Sequence, residues 1–186
     1  MKDMFKNALT TVAVASAIAF AAPAQADVMV GGRSMLPSMD IIDNAVNSAD
    51  HTTLVAAVQA AGLVETLKGE GPFTVFAPTN AAFAELPDGT VETLLMDDHK
   101  DQLIGILTYH VVPGRLDSGA LRQLVAANGG EVEIATVNGA TLTVTANGPT
   151  NVVIADQHGN AANISTYDVI QSNGVIHVVD QVLLPN

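Results

Sequence analysis

Histidines are the side chains in this sequence whose chemistry suits acid–base catalysis or metal binding. His110 and His177 each lie among Val, Ile and Tyr in strand-like segments, where a neutral ring with one or two satisfied hydrogen bonds is the common arrangement. His51, His99 and His158 lie at predicted helix starts or turns, where we expect exposed rings. The sequence contains no His-Glu-x-x-His, Gly-x-Ser-x-Gly, phosphate-loop or dinucleotide-binding motif. We therefore predict structural histidines, no catalytic site and no cofactor.

Three methionines near the amino terminus, Met29, Met35 and Met39, offer a second kind of chemistry. Thioether sulfur is a soft ligand that suits Cu(I). The spacing is not a regular Met-x-x-Met repeat, and methionine also fills gaps against apolar surfaces. Packing is therefore the favoured role, and periplasmic Cu(I) or other metal handling by these residues is the alternative function.

The first 26 residues have the three parts of a secretory signal peptide. Lys2 and Lys6 precede an apolar run over residues 8–22, and a small-x-small cleavage pattern ends at Ala26, before Asp27. The run is shorter than the ~20 apolar residues that a membrane span requires. We expect cleavage near Ala26, export to the periplasm or the extracellular space, and no insertion of the mature chain into a membrane.

The composition restricts the class of partner. The sequence has 186 residues, 48% of them hydrophobic, and its 19 acidic and 7 basic residues give a net charge of −12. Removal of Lys2, Asp3 and Lys6 with the signal leaves 18 acidic and 5 basic residues. A chain with this charge repels nucleic acid and anionic lipid. The sequence has no cysteine, which excludes disulfides, thiolate metal sites and a lipid-modified cysteine.

Hydrophobic periodicity predicts mostly helices in the first two thirds of the chain and strands in the last third. Residues 27–37, with two glycines and a proline, are typical of a flexible arm, and we expect the folded domain over residues 38–185. Asn138-Gly139 predicts a two-residue type I′ hairpin that places Val137 opposite Ala140, with both faces partly covered. Helices followed by strands favour an α+β domain over an alternating α/β domain.

Two segments and a dipeptide between them resemble the signature elements of the fasciclin (FAS1) family. Residues 74–83 resemble the first signature, residues 173–185 resemble the second, and Tyr109-His110 matches the Tyr-His element between them. The resemblance covers residues 38–185. The signature positions, which we expect to act mainly in the fold, are Thr74, Phe76, Pro78, Thr79, Asn80, Phe83, Asn173, Gly174, His177, Asp180, Leu184 and Pro185.

The residue types in both signatures explain why a structural role is favoured. Pro78 cannot continue a strand, Thr79 can cap the helix that follows, and Asn80 can bond local backbone groups at the corner. Over residues 175–182, apolar side chains occupy both alternating sets of positions. This pattern is typical of a strand that is buried on both faces.

The resemblance implies a FAS1 β-wedge of about seven strands with helices packed around it. The family is associated with adhesion and with extracellular or periplasmic interaction, not with catalysis. Tyr109, His110, Asp168 and Val169 are the best candidates for partner contact, because adhesive animal members carry an Asp-Ile dipeptide near the position of Asp168-Val169. In this sequence Val replaces Ile and Tyr167 replaces the usual preceding Pro, so a simple turn aspartate is the alternative.

These observations together predict a non-catalytic cell-adhesion or interaction module that is secreted or periplasmic. Its partner is expected to be a protein or polysaccharide of the cell surface or envelope. Metal handling by the methionine-bearing arm is the first alternative. An enzyme that acts on envelope material, with His110 in the reaction, is the second.

Overall fold

The computed structural model describes residues 28–186. The predicted signal peptide, residues 1–26, lies outside the described residues. The helices are α1 (Ile41–Asn47), α2 (Thr52–Ala61), α3 (Val64–Leu67), α4 (Asn80–Ala84), α5 (Thr90–Leu94), α6 (Lys100–Tyr109) and α7 (Ser118–Ala127). The strands are β1 (Val28–Val30), β2 (Arg33–Met35), β3 (Phe73–Pro78), β4 (Val111–Pro113), β5 (Glu131–Ala135), β6 (Thr141–Asn147), β7 (Asn151–Ala155), β8 (Ala161–Gln171) and β9 (Gly174–Val179).

Seven of the strands form one sheet in the order β4-β3-β9-β8-β7-β6-β5. Only β3 and β9 run parallel, and the other neighbours pair antiparallel. The N–H of Val137, just after β5, donates to the Val111 carbonyl of β4 at 2.8 Å. The two edges of the sheet therefore approach each other and the sheet nearly closes. This architecture confirms the predicted α+β class with about seven strands and surrounding helices.

Strands β3 and β9 separate two apolar cores. On one side, Val75, Ile176 and Val178 pack with the buried faces of the helices from α1 to α6. On the other side, Phe76 and Val179 pack with α7 and the inner face of strands β6 to β8. All six residues of β9 are buried. The predicted cover on both faces is confirmed for residues 175–179, whereas Asp180, just after the strand, is exposed.

The turn between β5 and β6 has a three-residue loop, not the two-residue turn that the Asn-Gly pair predicts. The Thr136 N–H donates to the Ala140 carbonyl at 2.9 Å, the Gly139 N–H donates to the Thr136 carbonyl at 3.0 Å, and Gly139 has φ +92°. This turn shifts the register by one residue, so that Ile134 pairs with Leu142. Since a one-residue shift exchanges the faces of a strand, the apolar residues of β5 and β6 meet on the core face. The predicted register is wrong. The predicted partial cover of both faces holds for β6, whose outward Thr141, Thr143 and Thr145 are half-buried, but not for β5, whose outward residues are exposed.

Residues 28–35 form a hairpin where the sequence suggested a flexible arm. Strands β1 and β2 pair antiparallel, with Val28 opposite Met35. Val30 and Met35 are buried against the helical core. Gly31, at φ +57°, lies so close to the chain at Ser48 that a Cβ atom would collide with the serine hydroxyl. The segment therefore packs as part of the domain, because its apolar side chains reach the core.

Local capping sets the ends of several helices. Thr79 accepts a hydrogen bond from the Ala82 N–H at 3.2 Å and so caps α4, as expected from its sequence position. Gly62, in the left-handed conformation, ends α2. None of the helices in the described residues 28–186 is long and apolar enough to cross a bilayer.

Candidate functional site

Tyr109 and His110 lie at the carboxyl end of α6, in the interior of the protein. Tyr109 is fully buried, and its hydroxyl donates to the Thr141 carbonyl at 2.8 Å. His110 is 2% exposed. The sequence suggested a strand from Tyr109, but α6 continues through this residue and β4 begins only at Val111. The expectation that Tyr109 and His110 contact a partner does not fit the structure, because neither side chain reaches solvent.

His110 connects α6 to the carboxyl-terminal segment. Its Nδ1–H donates to the Ile106 carbonyl at 2.8 Å, and its Nε2 accepts the Leu183 N–H at 3.0 Å. A ring that must accept at Nε2 has to be neutral. Burial lowers the pKa of His110 to about 4, against smaller opposing effects of the Ile106 carbonyl and the Asp156 charge. The ring therefore acts as a structural link and remains neutral at physiological pH.

His177 has a similar structural position in β9. Its Nε2–H donates to the Leu116 carbonyl at 2.8 Å, and its Nδ1 accepts a long hydrogen bond from the Asp168 N–H at 3.4 Å. The ring stacks on Phe76 with centroids 5.8 Å apart and meets the edge of Tyr167 at 5.9 Å. Burial lowers the pKa of His177, while the Leu116 carbonyl and nearby aspartates oppose the change.

Asp168 and Val169 lie in β8 at a bulge in its pairing with β9. Val169 is buried, so it is not available to a partner, in contrast to the expectation from sequence. Asp168 is half-buried and adopts φ +56°, the only described residue other than glycine with a positive φ. Its carboxylate accepts the backbone N–H of Ser118 at 2.6 Å and also the Ser118 hydroxyl. A left-handed conformation costs energy for such a residue, and the two bonds to Ser118 hold it in place.

An open groove of about 530 Å³ lies beside Asp168, at the amino end of α7. Asp117, the capping residue of α7, is exposed at the rim of the groove. The apolar side chains that line the groove are Val28, Met35, Pro37 and Ile170. We call this surface, together with Asp117, Gly119 and Asp168, the α7 groove. It combines two carboxylates with apolar walls, which suits a cationic group attached to an apolar body.

Within the described residues, no ion pair neutralises the negative charge of Asp117 and Asp168 in the α7 groove. Within residues 28–186, ion pairs are formed by Lys68 alone, with Asp40 and Asp43. Arg122 reaches the Ser118 hydroxyl at 3.4 Å but makes no ion pair with Asp168. Each carboxylate oxygen has two acceptor positions, so the Asp168 carboxylate keeps capacity for a donor from a partner.

The first signature segment connects several parts of the domain. The Thr74 hydroxyl donates to the Gly114 carbonyl at 2.7 Å and accepts the Leu116 N–H at 2.8 Å. Phe76, Pro78 and Phe83 are buried, the first two in β3 and the last in α4. These contacts hold the loop before α7 against the central sheet.

Asn80 acts at longer range than the sequence suggested. Its Oδ1 accepts the Thr53 N–H at 3.0 Å and the Thr52 hydroxyl at 3.2 Å, and its Nδ2 donates to the Ala49 carbonyl at 2.9 Å. Asn80 therefore caps α2 from outside that helix, in addition to starting α4. The expectation of purely local bonds is wrong, because α2 packs beside the β3–α4 corner.

The second signature segment contacts α1, α3 and β3. Asn173 accepts the Ile41 N–H at 3.1 Å and donates to the Leu67 carbonyl at 2.8 Å. At Gly174 a Cβ atom would collide with the Phe73 carbonyl and the Ile41 side chain. Asp180 accepts both the backbone and the side-chain N–H groups of Asn163, at 2.7 and 2.9 Å.

The last signature positions lie in the carboxyl-terminal segment. The Leu184 N–H donates to the Asp156 carboxylate at 3.1 Å, and Pro185 is half-buried. Asp156 is 4% exposed and also accepts from the His158 N–H and from Asn160. These bonds fix the end of the chain beside the loop between β7 and β8.

The three methionines do not converge on one site. Met29 is 58% exposed and pairs with Ser34 on the outer face of the β1–β2 hairpin, whereas Met35 is 4% exposed and points to the core. The Met39 sulfur is 3.7 Å from the Asn47 amide nitrogen. Successive residues of a strand point to opposite faces, so the hairpin separates Met29 from Met35. The Cu(I) alternative therefore lacks a common site in this arrangement.

Two features were not apparent from the sequence. Asp117 caps α7, and Ser118, the first residue of that helix, holds Asp168. His51 was expected to be exposed and is 3% exposed, with Ser48 bonded to its ring. In residues 28–186, no group of three or more histidine or carboxylate side chains is placed to hold a metal ion.

The nearly closed seven-stranded sheet, the helical layer and the buried histidine links together define a wedge-shaped α+β domain of the FAS1 type. The chain belongs to the fasciclin family, since the family model described as the fasciclin domain matches residues 49–185 of the sequence.

Curated relatives agree with this assignment. Protein sll1483 of Synechocystis sp. is 48% identical over 148 residues, which cover 80% of this chain and 74% of that protein. Transforming growth factor-beta-induced protein ig-h3 of Sus scrofa is 36% identical over 157 residues, covering 82% of this chain and 20% of that protein. The chain thus matches nearly the whole of some relatives and about a fifth of others.

A solved structure shares the fold. A FAS1 domain pair from the insect cell adhesion molecule Fasciclin I superposes with a TM-score of 0.70 at 19% identity. The match covers 78% of this chain and 51% of the pair. The similarity in fold therefore corresponds to one domain of that pair.

Proposed function

We propose that this protein is an exported, non-catalytic interaction module of the adhesion type. The observation that carries the proposal is the fasciclin domain itself, because a protein of known structure with this fold is an insect cell adhesion molecule. The signal-peptide pattern of residues 1–26 supports export. The paired, neutral states of His110 and His177 support a structural use of these rings and give no base poised for catalysis.

The α7 groove is the contact surface we propose. Asp117 and Asp168 supply negative charge, and Pro37 and Ile170 supply apolar walls. The partner that fits is a protein segment in which a lysine or arginine is followed or preceded by an apolar residue. The excess of acidic over basic residues in the chain would increase the rate of encounter with such a segment.

Asparagine substitutions at both aspartates provide a test that preserves the local fold. Asparagine can still cap α7 at position 117 and tolerates the left-handed conformation at position 168. The experiment measures saturable binding of labelled protein, expressed from the full sequence, to cell-envelope fractions over a series of salt concentrations. We expect Asp117→Asn/Asp168→Asn to weaken binding by about tenfold or more, as for loss of charge-assisted hydrogen bonds.

The matched control is Asp88→Asn/Asp97→Asn, which removes the same charge at two exposed positions away from the groove. We expect this variant to bind within about twofold of the wild-type protein, because exposed charges beyond a Debye length of ~8 Å are screened at physiological salt. Equal weakening by the two double variants would contradict the groove as the contact surface. Binding that survives protease treatment of the envelope but not glycosidase treatment would replace the protein partner with a polysaccharide.

A further inference from the structure

A cavity of about 70 Å³ lies between the helical layer and the sheet. Its walls are almost entirely apolar and come from the β1–β2 hairpin, helices α1, α2, α3 and α6, and strands β3, β4, β8 and β9, with Leu54, Val58 and Val178 among the lining residues. Val55 and Gln59, which also line it, are half-exposed and exposed. The cavity therefore extends from the core toward the surface of α2.

One polar side chain that lines this cavity has a free hydrogen-bonding atom. His51 is 3% exposed, and its Nε2 is the only buried side-chain nitrogen or oxygen in residues 28–186 without a hydrogen-bond partner. Native proteins pair nearly all such atoms, so an unpaired one requires an explanation. His110 also lines the cavity, but both of its ring nitrogens are already bonded.

The bonds of Ser48 determine which nitrogen of His51 carries the proton. The Ser48 hydroxyl oxygen accepts the Asp50 N–H at 3.3 Å and lies 2.8 Å from His51 Nδ1. No other acceptor for the hydroxyl hydrogen lies within bonding distance in the described part of the chain, so the hydroxyl donates to Nδ1. In a neutral ring the other nitrogen, Nε2, then carries the hydrogen. The free atom in the cavity is thus a donor.

The state of the His51 ring agrees with this assignment. Burial lowers the pKa of His51 and keeps the ring neutral, while the Ala77 carbonyl and the Asp50 charge oppose the change. The Ala77 carbonyl is near enough to raise this pKa, but Nε2 makes no hydrogen bond of acceptable geometry with it. A buried water needs two to four polar partners. Of the polar side chains in the lining, Ser48 and His110 are already hydrogen-bonded and Gln59 is exposed, so His51 Nε2 is the free polar atom of the enclosed part.

We propose that this cavity binds a short apolar molecule with a single hydrogen-bond acceptor, such as a small ketone or ester, whose oxygen accepts the His51 Nε2–H. The volume of about 70 Å³ is several times the ~10–15 Å³ that suffices for one water. A short molecule of a few heavy atoms therefore fits, with its carbonyl end at His51 and its alkyl end toward Val55. This inference is independent of the α7 groove.

The test compares two probes of almost equal shape. 2-Butanone has a carbonyl where 2-methyl-1-butene has a terminal methylene, so only the ketone can accept a hydrogen bond. Each probe is titrated into the isotope-labelled full chain, and the backbone amide resonances of Val58 and Val178 are followed by NMR, together with the His51 ring nitrogens. We expect saturable shifts at these residues and about five- to tenfold tighter binding of the ketone, the ratio that one net hydrogen bond provides.

Variants separate this site from non-specific solvent effects. His51→Leu should remove the preference for the ketone, and His51→Gln, which retains an N–H donor, should restore part of it. Val55→Trp should block binding of both probes without a change at His51, which keeps the proposal testable if His51→Leu does not fold. Equal affinity for the two probes, a preference that persists in His51→Leu, or the absence of saturable shifts at Val58 and Val178 would overturn the proposal.

Discussion

Acid is expected to destabilise this protein through His110, and His110→Asn is expected to remove that part of the pH dependence. The folded protein needs a neutral ring, because Nε2 accepts the Leu183 N–H and Nδ1–H donates to the Ile106 carbonyl. A proton on Nε2 would make this nitrogen a donor that faces the Leu183 N–H, which is also a donor. The link between α6 and the carboxyl-terminal segment would then be lost.

The size of the effect follows from the two pKa values. The pKa of His110 in the folded state is about 4, against 6.5 for an ordinary histidine. Above pH 6.5 the ring is neutral in both states and its contribution to stability is complete. Between pH 6.5 and about 4 only the unfolded chain takes up the proton, so the free energy of unfolding decreases as the pH falls. At roughly 1.4 kcal/mol per pKa unit, the loss amounts to about 3 kcal/mol.

Urea unfolding at a series of pH values from about 7.5 down to 4 measures this contribution. The free energies of unfolding of the wild-type protein and His110→Asn are subtracted at each pH, so that contributions from His51 and His177, which both proteins share, cancel. At neutral pH the variant should be less stable by ~1–3 kcal/mol, because the Leu183 N–H loses its acceptor. As the pH falls to 4, this difference should change by about 3 kcal/mol in favour of the variant, so that it vanishes or reverses its sign.

A matched variant and a clear contradictory result complete the test. His158→Asn also removes a histidine, but at an exposed position. If the stability difference between wild-type and His110→Asn proteins stayed constant from pH 7.5 to 4, or if both variants gave the same pH profile, the assignment of a buried neutral His110 would be refuted.

Three further predictions concern residues that connect distant parts of the fold. Asn80→Ala should lower the free energy of unfolding by ~1–2 kcal/mol, since the Thr53 N–H at the start of α2 loses its cap; an unchanged urea midpoint would count against this role. Gly174→Ala should cost more than about 3 kcal/mol, because the added methyl group overlaps the Phe73 carbonyl; a stable, soluble variant with wild-type melting would disprove the close approach. Asp156→Ala should cost ~2–3 kcal/mol, because four N–H donors lose their acceptor. Burial acts to raise the pKa of the Asp156 carboxyl, but its hydrogen bonds outweigh this effect and lower the pKa from the ordinary 3.8. The stabilisation by Asp156 is therefore present above pH 3.8 and is lost as the pH falls through the pKa of the folded state. Calorimetry at pH 7 and pH 3 measures it.

Features that depend on local chemistry were predictable from the sequence. Thr79 caps the helix that follows it, Gly62 ends α2, and β9 is buried on both faces. Each of these depends on the residue type and its immediate neighbours. The signature segments add the order of elements, which was sufficient to identify the family and the α+β class.

The turn at Gly139 shows where local reasoning fails. An Asn-Gly pair suits both a two-residue turn and a three-residue loop with the glycine in the left-handed conformation. Burial of apolar side chains decides between these two turns. Only the observed register places Val132 and Ile134 on the same face of the sheet as Leu142 and Val144. The alternating apolar pattern of both strands could have revealed this, had it been weighed against the turn preference.

The candidate contact residues show a second reason why reasoning from local sequence fails. Tyr109 has high β-propensity, but α6 continues through it because its ring is required in the core beneath the sheet. Asn80 caps a helix that begins 28 residues earlier, and Ser118 holds an aspartate 50 residues away. Contacts of this kind are set by tertiary packing, so a single sequence without an alignment does not reveal them.

Photo-crosslinking from the α7 groove tests directly whether this surface contacts a protein partner. A benzophenone side chain replaces Ile170, which lines the groove, or Val137, which is 45% exposed beside the β5–β6 turn. Each full-length protein is irradiated with envelope fractions, with and without excess unlabelled protein. We expect a discrete protein adduct from position 170 that disappears with competitor and is reduced by Asp168→Asn, and no such adduct from position 137. Competable adducts from position 137 alone, or none from position 170, would contradict it.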